Sequence, residues 1–247
     1  MPIGNFKLFL IFLAAFFVMH LSGMWFAQLP YILSALLVSI TVVSILLLLN
    51  KWLYNKTTKN AATDIGLKSV TINSLIPGLL LSILLLLMYP FLGCILDTSI
   101  SIQKNWLWNT IGLLLTAGVT EEVLFRGFLF AKLRATMNFR KAAVISIAAF
   151  SLAHLPMFTY MDWKIALPST LLAIGLSVPF AYLYEKAENS VWSAALVHTS
   201  IRTIGMVFFT EDKNYTVLVL SWMSVSLLIP NILLLCSKQF RKLWTMK

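Results

Sequence analysis

Apolar runs dominate this chain and set what it can fold into. Eight of them, at about 8–27, 30–49, 74–96, 106–130, 142–158, 165–184, 190–209 and 215–236, are long enough or nearly long enough to cross a bilayer. A spanning helix needs about 20 apolar residues, since the hydrocarbon core is about 30 Å thick and each helical residue advances about 1.5 Å. Within lipid, backbone N–H and C=O groups must be satisfied inside the segment, so such runs fold as helices. Composition agrees, with 60% hydrophobic and 11% charged residues and a mean hydropathy of +0.87, where soluble domains carry about a quarter charged. The expectation is an all-α, polytopic membrane helix bundle of about eight transmembrane helices, forming one integral membrane domain over residues 1–247.

The longest polar interval, residues 50–70, is too short to bury a core of its own. The first apolar run lacks an A-x-A-like cleavage site and leads directly into the second, so it reads as a retained span. Cys94 and Cys236 lie inside apolar runs and read as small core residues rather than a disulfide.

The net charge of +10 is unevenly placed. Lys51, Lys56, Lys59 and Lys68 share one interval, Lys132, Arg134, Arg140 and Lys141 a second, and Lys238, Arg241, Lys242 and Lys247 the tail. The alternate loops hold only Lys104, Lys164 and Lys213, each with an acidic residue in the same loop. With eight spans the basic clusters fall on one side, which the positive-inside rule makes cytoplasmic together with both termini. Anionic lipid headgroups, not nucleic acid, are their expected partners.

Charge inside the spans is rare and concentrated: Glu121, Glu122, Arg126 and Arg202, with His154 and His198 also well inside apolar runs. A charge at the centre of a spanning helix costs about 2.5–3.5 kcal/mol on insertion scales. Three charges on the fourth helix therefore require pairing or a polar cavity, and intramembrane ionisable groups mark functional sites by default. Glu122 and Arg126 are four apart and share a helix face, so they can pair. Glu121 is rotated about 100° from Glu122 on an α-helix and needs another partner. Counting inward from the presumed cytoplasmic ends, Glu121 lies about 13 Å deep, His198 about 12 Å and His154 about 18 Å. Three helices thus bring a carboxylate and two imidazoles to similar levels, whereas His20, without such company, reads as an ordinary hydrogen-bonded side chain. No HExxH or CxxC metal spacing occurs.

The stretch EEVLFR reads as EExxxR, FSLAH (Phe150 to His154) as FxxxH, and HTSIR begins at His198. This ordered set over about residues 106–210 resembles the CPBP intramembrane proteases, also called the Abi or CAAX-protease family, which includes type II CAAX prenyl endopeptidases and bacteriocin self-immunity proteins. The resemblance implies an intramembrane endopeptidase acting on a membrane-associated peptide or protein, such as a prenylated CAAX protein or a bacteriocin. It further implies a site in which Glu121 and His154 activate a water while His198, with Arg202, stabilises the oxyanion. Glu122, Arg126 and Phe150 would support that site. A zinc ion held by Glu121, His154 and His198 is the other scheme, two histidines and a carboxylate being a known catalytic zinc set.

Arg202 departs from the pattern, standing where the family usually has asparagine. It could donate to an oxyanion, or lock Glu121 in an ion pair and weaken it as a base. The alternative is therefore a non-catalytic peptide-binding immunity or scaffold protein of the same fold. A proton-coupled transporter would also use Glu and His relays, but the chain shows no inverted repeat or paired broken helices. The peptidase reading expects a polar cavity open to the cytoplasm.

Overall fold

The computed structural model describes residues 5–210 and 213–246. Eight long helical segments cross the bundle in alternating directions. They are α1 (Asn5–Phe26), α2 (Tyr31–Tyr54), α4 (Ile72–Ile95), a composite helix over 106–134, α7 (Phe139–His154), α8 (Trp163–Lys186), α9 (Trp192–Val207) and α10 (Tyr215–Cys236). The short α3 (Thr58–Asp64) fills the first basic interval, and α11 (Lys238–Thr245) follows the last span. Two residues at each of Ser101–Ile102 (β1) and Phe208–Phe209 (β2) pair antiparallel. The fold is the expected all-α bundle.

Among the described residues, six helices are long and apolar enough to cross a membrane: α1, α2, α4, α7 with its 3-10 extension, α8 and α10. The two remaining segments, the composite helix and α9, are the ones bearing the intramembrane charges. Polar caps mark several starts: Thr71 accepts from Ser74 N, Asn138 from Lys141 N, Asp162 from Lys164 N and Ser237 from Phe240 N. Each satisfies a backbone donor that the first helical turn leaves open. The run 142–158 stops being α-helical at His154 and continues as a 3-10 turn over Leu155–Thr159, with Pro156 near its start. Proline lacks the N–H needed to continue the α-helix.

The composite helix departs from the sequence expectation. It begins as α5 (Trp106–Leu113), is π-helical over Leu114–Glu121 and Val123–Phe130, and ends as α6 (Ala131–Arg134). Bonds from i to i+5 widen the turn, so each residue rotates less than in an α-helix. Glu121 and Glu122 are consequently separated by less than the 100° that α geometry predicts. Two hydroxyls hold this register: Thr120 Oγ1 lies 2.7 Å from Leu115 O, five residues back, and 2.8 Å from Ser39 Oγ on α2. Ser39 Oγ in turn lies 2.9 Å from Leu115 O.

Small residues set how closely the motif helices approach, as is usual where backbones pack in membranes. A Cβ on Gly78 of α4 would lie 2.6 Å from Ser193 O of α9, and one on Gly118 would lie 2.4 Å from Thr199 Oγ1. Helix α9 is thus held between α4 and the π-helical segment, which fixes where His198 points. Gly127 leaves room for the backbone of Ile65, whose carbonyl oxygen would stand 2.0 Å from an added Cβ. Cys94 and Cys236 are free and exposed, so the expectation that they belong to the core is corrected: both lie on the outer surface of the bundle.

The loops divide into two ends. Residues 55–71, 135–138 and 187–191 lie at one end with all the basic clusters, and 27–30, 96–105, 155–162 and the segment after β2 lie at the other. At the basic end α11 packs through Phe240 onto Phe139 and Tyr182, while Arg134 pairs with Glu185 at 3.0 Å.

Candidate active site

The i,i+4 pair expected from spacing is present. Arg126 Nη1 donates to Glu122 Oε1 at 3.0 Å, and the side chains are 1% and 0% exposed. Arg126 also donates through Nη2 to Ser177 Oγ at 3.1 Å and lies over the rings of Phe150 (4.6 Å) and Phe180 (5.1 Å). A buried guanidinium is thereby compensated by a carboxylate, a hydroxyl and two π faces. Ser177 and Phe180, both on α8, carry no motif signal. The only sequence hint was a small hydroxyl inside an apolar run.

His198 does more than face Glu121. Its Nδ1 donates to Glu122 Oε1 at 2.8 Å, because a carboxylate held by Arg126 is an acceptor. The other ring nitrogen, Nε2, stands 3.8 Å from Glu121 Oε2, too long for a direct hydrogen bond. Glu122, which spacing alone paired with Arg126, therefore bridges two helices and sets the tautomer of His198. Its second oxygen, Oε2, is buried with no partner among the described residues.

His154 is fixed in the same manner. Its Nδ1 donates to the Phe150 carbonyl oxygen at 2.8 Å, which leaves the Nε2 lone pair free. The Phe150 ring packs edge-on to His154 with centroids 4.6 Å apart and lies 6.3 Å from His198. Glu121, 26% exposed, is within electrostatic reach of His154. The structure thus gathers Glu121, His198, Glu122, Arg126 and Phe150 into one cluster, with His154 at its edge.

Arg202 does not lie where the ion-pair expectation placed it. It is exposed and makes no hydrogen bond or ion pair among the described residues, so it does not lock Glu121. Its charge reaches His154 and Tyr31. With His154 and His198 it lines a cavity of about 360 Å³ whose other walls are mostly apolar, including Met157, Met161, Leu172, Leu176 and Trp222. This cavity is walled by the last turns of α7, the stretch of α8 from Ile165 to Phe180, α9 from His198 to Met206 and the first turns of α10. It runs from Phe180 and His198 inside the bundle to the loops at the end away from the basic clusters. A cytoplasmic basic end and this cavity opening to the cytoplasm do not go together, because connections alternate sides and the cavity lies among loops of the opposite set.

Both histidines present a free Nε2 while Nδ1 donates to oxygen, the orientation common among metal-ligating histidines. Among the described residues, however, no three His, Cys, Asp or Glu side chains converge at a spacing that would hold a metal ion. As placed, Glu121, His154 and His198 do not fit zinc.

Residues 103–204 match the family model for Type II CAAX prenyl endopeptidase Rce1-like proteins. Over that stretch, which holds all three motifs, the chain is similar to this CAAX-protease family. Comparison with curated proteins gave no match to the chain. The matched residues take in the composite helix, α7, α8 and most of α9, which are the elements supplying every side chain of the cluster.

Proposed function

We propose that this CAAX-protease-type chain is an intramembrane endopeptidase that hydrolyses a peptide bond with a glutamate-activated water. The observation carrying this reading is the placement of Glu121 beside His198, 3.8 Å apart on different helices, with both imidazoles locked through Nδ1. Glu121 takes a proton from a water that His154 Nε2 orients, and the resulting hydroxide attacks the scissile carbonyl. Glu121 then delivers that proton to the departing amine. The tetrahedral oxyanion meets His198 and Arg202; His198 donates from Nε2 only when its ring carries both protons, since Nδ1–H is committed to Glu122. Glu122, Arg126 and Phe150 act through others, holding the rings and the π-helical backbone in place.

The test is purified protein in lipid nanodiscs against a quenched fluorescent peptide library, beside Glu121→Ala. Hydrolysis lost in that variant and unchanged by a strong zinc chelator is the expected result. Chelator-sensitive hydrolysis would overturn the metal-free mechanism.

One observation favours a second reading. An unpaired, exposed Arg202 beside an apolar cavity is suited to holding a peptide without cleaving it, as an immunity or scaffold protein would. Saturable peptide binding without turnover in the same nanodiscs selects this reading.

A further inference from the structure

The cavity reaches the loops at the end of the bundle opposite the basic clusters, and on α8 its lining runs inward from Ile165 as far as Phe180. On α7 the lining residues begin at Phe150 and run into the following loop at Met157 and Met161. On α9 they run from His198 to Met206, and on α10 from Tyr215 to Met223. The cavity is therefore bounded by the loop at 155–162 and by the outgoing end of α9. The first two basic clusters lie in the connections of the other end, and α11 is packed there against Phe139 and Tyr182. Gly205 is exposed and has nothing within 4 Å of where a Cβ would sit, so the wall beside Arg202 is open.

The lining chemistry narrows what enters. Methionines and aliphatic side chains accommodate varied apolar groups, because the thioether is flexible and polarisable. Into this surface projects a single full charge, Arg202, unpaired among the described residues. A guanidinium beside an apolar wall is complementary to a carboxylate carried on an apolar chain. With the basic end held at the cytoplasm by the positive-inside rule, the opening faces the opposite compartment.

We infer that the ligand of this cavity is an apolar peptide segment bearing a carboxylate that pairs with Arg202, and that it enters from the extracytoplasmic side of the membrane. The inference rests on the peptidase reading only for the ligand being a substrate; the side of entry and the carboxylate preference stand apart from turnover.

The sidedness test uses full-length chain in intact cells, with Cys94 and Cys236 replaced by serine and one cysteine introduced at a time. An impermeant maleimide is expected to label Gly205→Cys in intact cells, and Lys59→Cys only after permeabilisation. Labelling of Lys59→Cys in intact cells overturns the inference. So does Gly205→Cys that reacts only after permeabilisation, or not at all. The second test measures binding of a dansylated apolar decapeptide carrying one glutamate, and of its glutamine counterpart, to the chain in nanodiscs. The glutamate peptide is expected to bind about tenfold more tightly, the scale of one charge-assisted hydrogen bond. Arg202→Gln should remove that preference, so that the two peptides bind alike. Equal affinities in the parent chain would overturn the carboxylate assignment. Failure of the peptidase reading has a separate signature: both tests come out as expected while Glu121→Ala leaves no hydrolysis to lose.

Discussion

Replacing Glu122 by glutamine isolates the charge of the most buried carboxylate in the cluster. The amide is nearly isosteric, and its carbonyl oxygen can occupy the Oε1 position, 3.0 Å from Arg126 Nη1 and 2.8 Å from His198 Nδ1. The NH2 group then falls where Oε2 already lacks a partner. Hydrogen-bond geometry is preserved, so the substitution removes the negative charge and little else. Arg126 is left as a buried cation facing a neutral amide oxygen, Ser177 and two aromatic rings in place of a carboxylate. Breaking a buried ion pair by removing one partner costs about 3–5 kcal/mol. We expect Glu122→Gln to lose stability on that scale, read as a shift in the SDS-induced unfolding equilibrium in mixed micelles. Glu122→Gln with Arg126→Met should recover a large part of the loss, because an apolar pair of similar volume avoids the uncompensated charge. A single variant within about 1 kcal/mol of the parent would refute the reasoning, since it would put the value of this contact at that of a surface pair.

Three further outcomes follow from the same geometry. Arg202→Ala should lower kcat by about 10²-fold, the scale for losing one oxyanion donor, while Arg202→Asn stays within an order of magnitude of the parent; full activity in the alanine variant would remove Arg202 from the chemistry. Gly127→Ala should cost about 1–3 kcal/mol or prevent folding, because its Cβ would meet the backbone of Ile65 and overpacking there cannot be relieved by a side chain; Gly205→Ala, in open space, should be neutral or slightly stabilising in the same unfolding assay. Thr120→Val should lower kcat more than it raises KM, because it removes a hydroxyl that holds the π register next to Glu121; Thr120→Ser should restore it, and equal rates in all three proteins would separate the register from catalysis.

Much of the fold was legible because the bilayer reduces the problem to hydropathy and length. The eight runs map onto eight helical segments among the described residues, six of them single helices long and apolar enough to cross a membrane. The Glu122–Arg126 contact was legible for a local reason, since residues four apart on one helix are neighbours whatever surrounds them. The approach of Glu121 to His198 was legible by depth, as both lie a similar number of residues from the same end. The basic asymmetry needed only the order of the loops.

Contacts across helices were decided by packing. Depth sets the level of a side chain, but the rotation and separation of neighbouring helices set its partner. Those depend on close approaches such as Gly118 to Thr199 and Gly78 to Ser193, between residues far apart in the chain. Hence Glu122, not Glu121, receives His198 Nδ1, and Ser177 and Phe180 complete the arginine's surroundings from a helix with no motif. The π-helical register likewise depends in part on Ser39 of α2, so α-helical periodicity misjudged the angle between the two glutamates. Arg202 shares a face with His198 by spacing, yet the bundle leaves it exposed at a cavity mouth instead of against Glu121. Which end that cavity reaches follows from where α7 stops and where α8 and α10 start, a property of the assembled helices that no single apolar run contains.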